Sequence, residues 1–144
     1  MESLSQPDRN IEFVHQALRF AVGGTAFVAG LDKFFDFLAD WDDYLSPEAS
    51  ERLPIKAHDF MRLVGVVEMA VGGLILAGRT KIGGYLAGAW LAGIAANLVA
   101  NENYDIAARD VNMAVAAIAL ARISEVRRAG RARPDITVKK REVA

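Results

Sequence analysis

Two ionisable residues stand inside otherwise apolar sequence: Arg19 in the run ALRFAVGG and Glu68 in the run VVEMAVGG. A charge in a dry interior or in hydrocarbon is costly unless it meets a partner or faces a cavity. Arg19 lies near one end of its apolar segment, and Glu68 lies about ten residues from the matching end of its own. With tilt the two can meet. An Arg19–Glu68 pair would fix helix register; a Glu68 less fully compensated would be a protonatable group in a proton or ligand site.

A second polar set gathers at the opposite segment ends. Asp32 and Lys33 close the first apolar segment, and Asn97 and Asn101 sit one turn apart in the third. Arg109-Asp110, with Asn112, opens the fourth, while Asp59 and Arg62 enter the second at a similar level. These groups could line a polar pocket beneath the 36–59 loop. Acids at a helix start also suit its dipole, which accounts for Asp105 and Asp110 without a ligand. There is no cysteine, so disulfides, thiolate metal sites and iron–sulfur ligation by this chain are excluded. The two histidines, His15 and His58, fall toward opposite faces and cannot share one haem iron or complete a zinc site. No nucleophile–base set or dinucleotide fingerprint is present. The paired glycines at 23–24, 72–73 and 83–84 lie inside apolar runs, not between a strand and a helix.

The elements that must hold these groups are long and apolar. Ile82 to Ala100 runs nineteen residues without a charge, which as a helix covers roughly 28 Å, close to the hydrocarbon thickness of a bilayer. Hydrophobic residues make up 53% of the 144, with mean hydropathy +0.18, which is high for a soluble domain. The sequence therefore predicts an all-α transmembrane four-helix bundle with spans at about 13–35, 60–77, 82–100 and 106–123. Residues 78–81 and 101–105 are tight turns, so neighbouring spans are antiparallel. Ser46-Pro47-Glu48 reads as a helix start in the first long loop, predicting a short interfacial helix with Trp41, Tyr44 and Leu45 at the lipid boundary. The first span lacks a convincing cleavage site and is expected to be retained.

Charge sets the orientation. The N-terminus, the 78–81 turn and the tail carry eleven basic residues, against five on the other side. Eleven acids fall on that other side. The positive-inside rule then places both termini in the cytoplasm of a bacterial-type membrane and the acidic 36–59 loop outside. The basic tail, 124–144, reads as a juxtamembrane segment near anionic headgroups, and no nucleic-acid partner is expected. Small residues at Gly84, Gly88, Ala92, Ala96 and Ala100 recur every fourth position on the third span, offering close helix packing or a dimer seam.

The runs RFAVGGTAFVAGLDKF (19–34) and MRLVGVVEMAVGGLILAGRTKIGGYL (61–86) resemble the DoxX-like four-helix membrane proteins. The matching pattern is Arg19, then Gly30 with Lys33, then Glu68 with Gly72, then Gly78-Arg79, and finally Arg109-Asp110. The likeness covers roughly residues 13 to 123. It implies an integral bundle that anchors or scaffolds a partner, in some relatives a redox or detoxifying enzyme. It also implies an alternative, a quinone-, lipid- or proton-binding protein such as a quinone-linked oxidoreductase subunit. The expected partners are membrane lipid and either another protein or a second copy of the chain. The resemblance assigns no cofactor, and a quinone is the candidate it admits.

Overall fold

The computed structural model describes residues 6–45 and 54–132. Among the described residues there are four α-helices: α1 (Gln6–Asp32), α2 (Ala57–Leu76), α3 (Thr80–Ala100) and α4 (Tyr104–Ala132). A single 3₁₀ turn, Trp41–Tyr44, lies between α1 and α2, and there is no strand among the described residues. The all-α bundle expected from the sequence is the observed fold. The interfacial helix expected from Ser46 lies outside the described residues. Trp41 and Tyr44 of that expectation form the 3₁₀ turn, with Asp40 as its cap.

Chain reversal follows from local backbone chemistry. At the end of α2 the Arg79 N–H bonds the Leu74 carbonyl and the Gly78 N–H bonds the Ile75 carbonyl. This is the paired bonding of a Schellman cap, and Gly78 takes the left-handed φ of 89° that it needs. The same pattern closes α3: Asn103 bonds Leu98, Glu102 bonds Val99, and Glu102 sits at φ 60°. Both turns are short, so α2, α3 and α4 run up and down in succession. α4 continues as helix nine residues past the expected end of its span, to Ala132.

α1 packs mainly on α2, and α3 mainly on α4. Small residues allow both approaches. A Cβ added at Gly30 would lie 2.5 Å from the Gly65 carbonyl oxygen, and one at Gly72 would lie 2.6 Å from the Phe27 nitrogen. Gly84 comes equally close to the Ala117 carbonyl of α4. The four-residue stripe on α3 is only partly an interface. Gly84 and Gly88 are buried, but Ala92, Ala96 and Ala100 are exposed, and Ala87, Ala95 and Leu98 take their place. A four-residue spacing drifts around a helix of 3.6 residues per turn, so a strict stripe cannot stay on one contact face.

The core is made of small residues, and the large apolar side chains point outward. Ala107, Ala114, Ala117 and Ala121 are buried on α4, and Ala87 and Ala117 pack with Val22, Ile75 and Leu120 in the central cluster. Phe13, Phe20, Phe35 and Leu63 are all more than half exposed, as are Ile82 and Val115. Among the described helices, Thr80–Ala100 alone is long and apolar enough by composition to cross a membrane. The other three carry charges within their apolar stretches.

Gly30→Ala and Gly72→Ala are expected to destabilise the bundle by about 1–3 kcal/mol, the cost of overpacking a backbone contact. Gly24→Ala and Gly73→Ala meet nothing within 4 Å and should be neutral or slightly stabilising. Equilibrium unfolding of the four variants in mixed micelles measures the contrast.

Candidate functional site

At the end of the bundle where α1 gives way to the loop, the Lys33 ammonium lies 2.7 Å from the Glu68 carboxylate. Their side chains are only 4% and 12% exposed. The Trp41 ring covers the ammonium, its centroid 3.6 Å from Nζ, so the cation is held between a carboxylate and an aromatic face. Asp32 fixes that ring. Its carboxylate accepts from the Trp41 indole N–H at 2.8 Å and from the backbone N–H groups of Phe37 and Leu38. Trp90 of α3 and Asp110 of α4 also face Glu68. Asp110 is buried and accepts from Arg109 Nε at 3.0 Å. Every helix therefore places a group in or beside this cluster.

The structure redraws the pairing expected from the sequence. Arg19 does not meet Glu68. Its guanidinium bonds the Leu76 carbonyl and the Gln16 side chain, more than two turns from Glu68 along α2. Glu68 instead joins the Asp32, Lys33 and Asp110 set. Asp59 and Arg62 are exposed on the first turns of α2 and stay outside it, as does Asn112. Asn97 is half-buried on α3, and Asn101 caps that helix with a buried amide nitrogen that has no hydrogen-bond partner among the described residues. An open recess of about 450 Å³ adjoins the cluster, lined by Val28, Leu31, Phe35, Phe37 and Leu38, with Asp32 at its edge. It is mainly apolar, in contrast to the polar pocket expected there.

A second polar network, at the opposite end, was not anticipated from the sequence. His15 is buried, its Nε2 3.1 Å from the Thr80 hydroxyl and its Nδ1 2.7 Å from Arg127 Nη1. Thr80 and the Ser124 hydroxyl are 2.8 Å apart, and Ser124 donates to the Leu120 carbonyl. A guanidinium can only donate, so Nδ1 is the acceptor in the Arg127 contact, and Nε2 faces the Thr80 hydroxyl. Arg127 also pairs with Glu12. A lone histidine followed sixty-five residues later by a threonine leaves no local signal for such a network. His58, at the start of α2, faces Asp42 at 3.6 Å, so the two histidines lie at opposite ends as expected.

Outside the apolar stretches, two carboxylates are held below the ordinary range. The Gln16 amide, and then Arg127, lower Glu12 against the opposing effect of its burial. Lys81, 2.9 Å away, is the main cause for Glu125, with Arg122 adding to it.

The family model for methylamine utilisation protein MauE matches residues 11–110. No curated protein and no solved structure gives a significant match. The chain belongs to the MauE family, a family of small membrane proteins. The matched segment holds Lys33, Glu68, Asp32, Trp41 and Asp110, and ends within the first two turns of α4.

Removing one partner of the buried pair, by Lys33→Met or Glu68→Leu, is expected to cost about 3–5 kcal/mol, because the other charge is left uncompensated. The double variant should recover most of that loss, which a double-mutant cycle measures. The lowered Glu12 and Glu125 give stability that is complete above the ordinary carboxylate value and lost as pH falls through their folded values. Acid titration of micellar protein should therefore show loosening below about pH 4.5, and Glu125→Gln should weaken that dependence.

Proposed function

We propose that this MauE-family chain is an integral membrane protein that acts as a non-catalytic accessory subunit, anchoring or scaffolding a partner protein. The carrying observation is the inverted distribution of side chains. Aromatic and branched residues such as Phe13, Phe20, Leu63 and Val115 face outward, while Lys33, Glu68 and Asp110 face inward. In water that arrangement exposes apolar area and buries charge, two costs with no return. In lipid the outward side chains are solvated, and the inward charges must pair with one another, as they do. The ordered Arg19, Lys33, Glu68 and Arg109-Asp110, which resembles the DoxX-like pattern, supports the same reading.

The accessory role follows from what the chain can do chemically. It has no cysteine, and its two histidines are far apart, so electron transfer by this chain would need a partner's cofactor or a bound quinone. The family's name ties it to methylamine utilisation, an oxidative process, which suits a subunit that serves a redox partner. The acidic loop containing Asp40, Asp42 and Asp43 is the surface proposed to meet that partner. Charge asymmetry orients it outward, with both termini in the cytoplasm. A second reading is favoured by the apolar recess beside Asp32, whose shape and lining suit a quinone ring or an acyl chain.

Gentle extraction of the full chain from its native membrane should yield protein that stays monodisperse only with detergent. A protein should co-elute at fixed stoichiometry and be depleted several-fold by Asp42→Asn with Asp43→Asn. A quinone recovered at one per chain, and lost on Val28→Trp, would replace the scaffold with the second reading. Solubility without detergent would remove both.

A further inference from the structure

We propose that the cleft at the His15 end of the bundle is a binding site for the phosphate of an anionic lipid headgroup. The cleft has a volume of about 260 Å³ and is lined by His15, Arg19, Thr80, Ser124, Arg127 and Arg128. Three guanidiniums thus converge on one cavity. Among the described residues, Glu12 is the carboxylate paired with Arg127, and Arg19 and Arg128 have no ion pair, which leaves a positive surplus facing the space.

The arginines are preorganised by the fold. Arg127 is held by His15 and Glu12, and Arg19 by Leu76 and Gln16. The Arg19 Nε is buried and has no hydrogen-bond partner among the described residues, so this guanidinium is not saturated by the fold. The N-terminus of α3 borders the same cleft through Thr80. Its cap residue, Arg79, makes no side-chain cap, and its first turn carries no acid. Free N–H groups and the positive end of the helix dipole therefore add to the attraction for an anion. Fork-shaped guanidiniums match phosphate oxygens better than ammonium groups do.

The neighbouring surface identifies the source of that phosphate. Phe13 and Phe20 lie on the face of α1 that also carries Gln16 and are 74% and 62% exposed. The Phe20 ring stacks beneath the Arg19 guanidinium, 5.4 Å from its centroid to Cζ. A cationic cleft bordered by outward aromatic rings suits a headgroup with acyl chains running down the helix, rather than a free ion. On the membrane reading, which this inference adopts, the cleft lies at headgroup level on the side of both termini.

The test uses the full chain in micelles and titrates phosphatidylglycerol, phosphatidylcholine of the same acyl chains, and sodium phosphate. Native mass spectrometry reads bound lipid, and thermal unfolding reads stabilisation. Phosphatidylglycerol should be retained at one per chain and raise the unfolding temperature, and phosphatidylcholine should do neither. Arg128→Gln, on the exposed rim, should weaken retention about fivefold, and Arg19→Gln about tenfold. Lys56→Gln, at the other end, should leave it unchanged. If Arg19→Gln fails to fold, Arg128→Gln carries the comparison. Equal binding of the two lipids, or unchanged affinity in folded Arg19→Gln and Arg128→Gln, overturns the site. Stabilisation by millimolar phosphate that disappears in both variants, without lipid preference, overturns the lipid and leaves a free phosphate ligand. Failure of the membrane reading is a separate result, seen as solubility without detergent.

Discussion

Moving a lysine ammonium and a glutamate carboxylate out of water costs several kcal/mol for each ion, and no apolar neighbour returns that cost. The bundle meets it by making Lys33 and Glu68 each other's counter-ion at 2.7 Å, with the Trp41 ring over the exposed side of the ammonium. This constraint sets the geometry at one end of the molecule. Lys33 is the first residue after α1, and Glu68 lies past the middle of α2, so the pair fixes how far one helix slides along the other. Asp32, next to Lys33, turns the same point into the anchor of the loop. Its carboxylate gathers two backbone N–H groups and the Trp41 indole and brings the 3₁₀ turn over the pair.

The pair can form only because the helices approach closely. Gly30 and Gly65 bring the two backbones near enough for a short ion pair, and Gly23 and Gly72 do the same toward the other end of the crossing. Close approach without large side chains leaves Phe13, Phe20 and Val28 of α1 and Leu63 and Val66 of α2 on the outside. The charge pair, the glycines and the outward apolar surface are therefore one arrangement, consistent with lipid as the surrounding solvent. In water the same glycines would cost helix stability and the same phenylalanines would drive aggregation.

Much of this was legible in the residues. Four apolar runs, two tight turns and the alanines of α4 gave the bundle, because composition and turn chemistry act locally. Pairing across helices was less legible. Glu68 was expected to meet Arg19, since both were the charges deepest in apolar sequence. The register between α1 and α2 is set by where their glycines cross, and a loop of more than twenty residues hides that from the sequence. The helices are antiparallel: with Gly30 opposite Gly65, Glu68 lies beside Gly30 and Lys33 beside Gly65, so the two side chains reach toward each other across the contact, while Arg19 falls beside Leu76. The His15 network was hidden for a stronger reason. It joins α1, α3 and α4 through residues separated by sixty-five and by one hundred and twelve positions. None of its members departs from an ordinary helix pattern.

The two ends also differ in what they do with charge. At the Lys33 end, the buried ammonium is matched by Glu68 and the Arg109 guanidinium by Asp110, within a surface rich in acids. At the His15 end, Arg127 is shared between the His15 ring and Glu12, while Arg19 is held by neutral acceptors, a carbonyl and an amide. Neutral acceptors orient a guanidinium without cancelling its charge. The same asymmetry that predicts orientation from counts of Lys and Arg is thus expressed in atomic detail. The acid-rich end pairs its buried cation internally, and the other end keeps oriented guanidiniums beside its cleft.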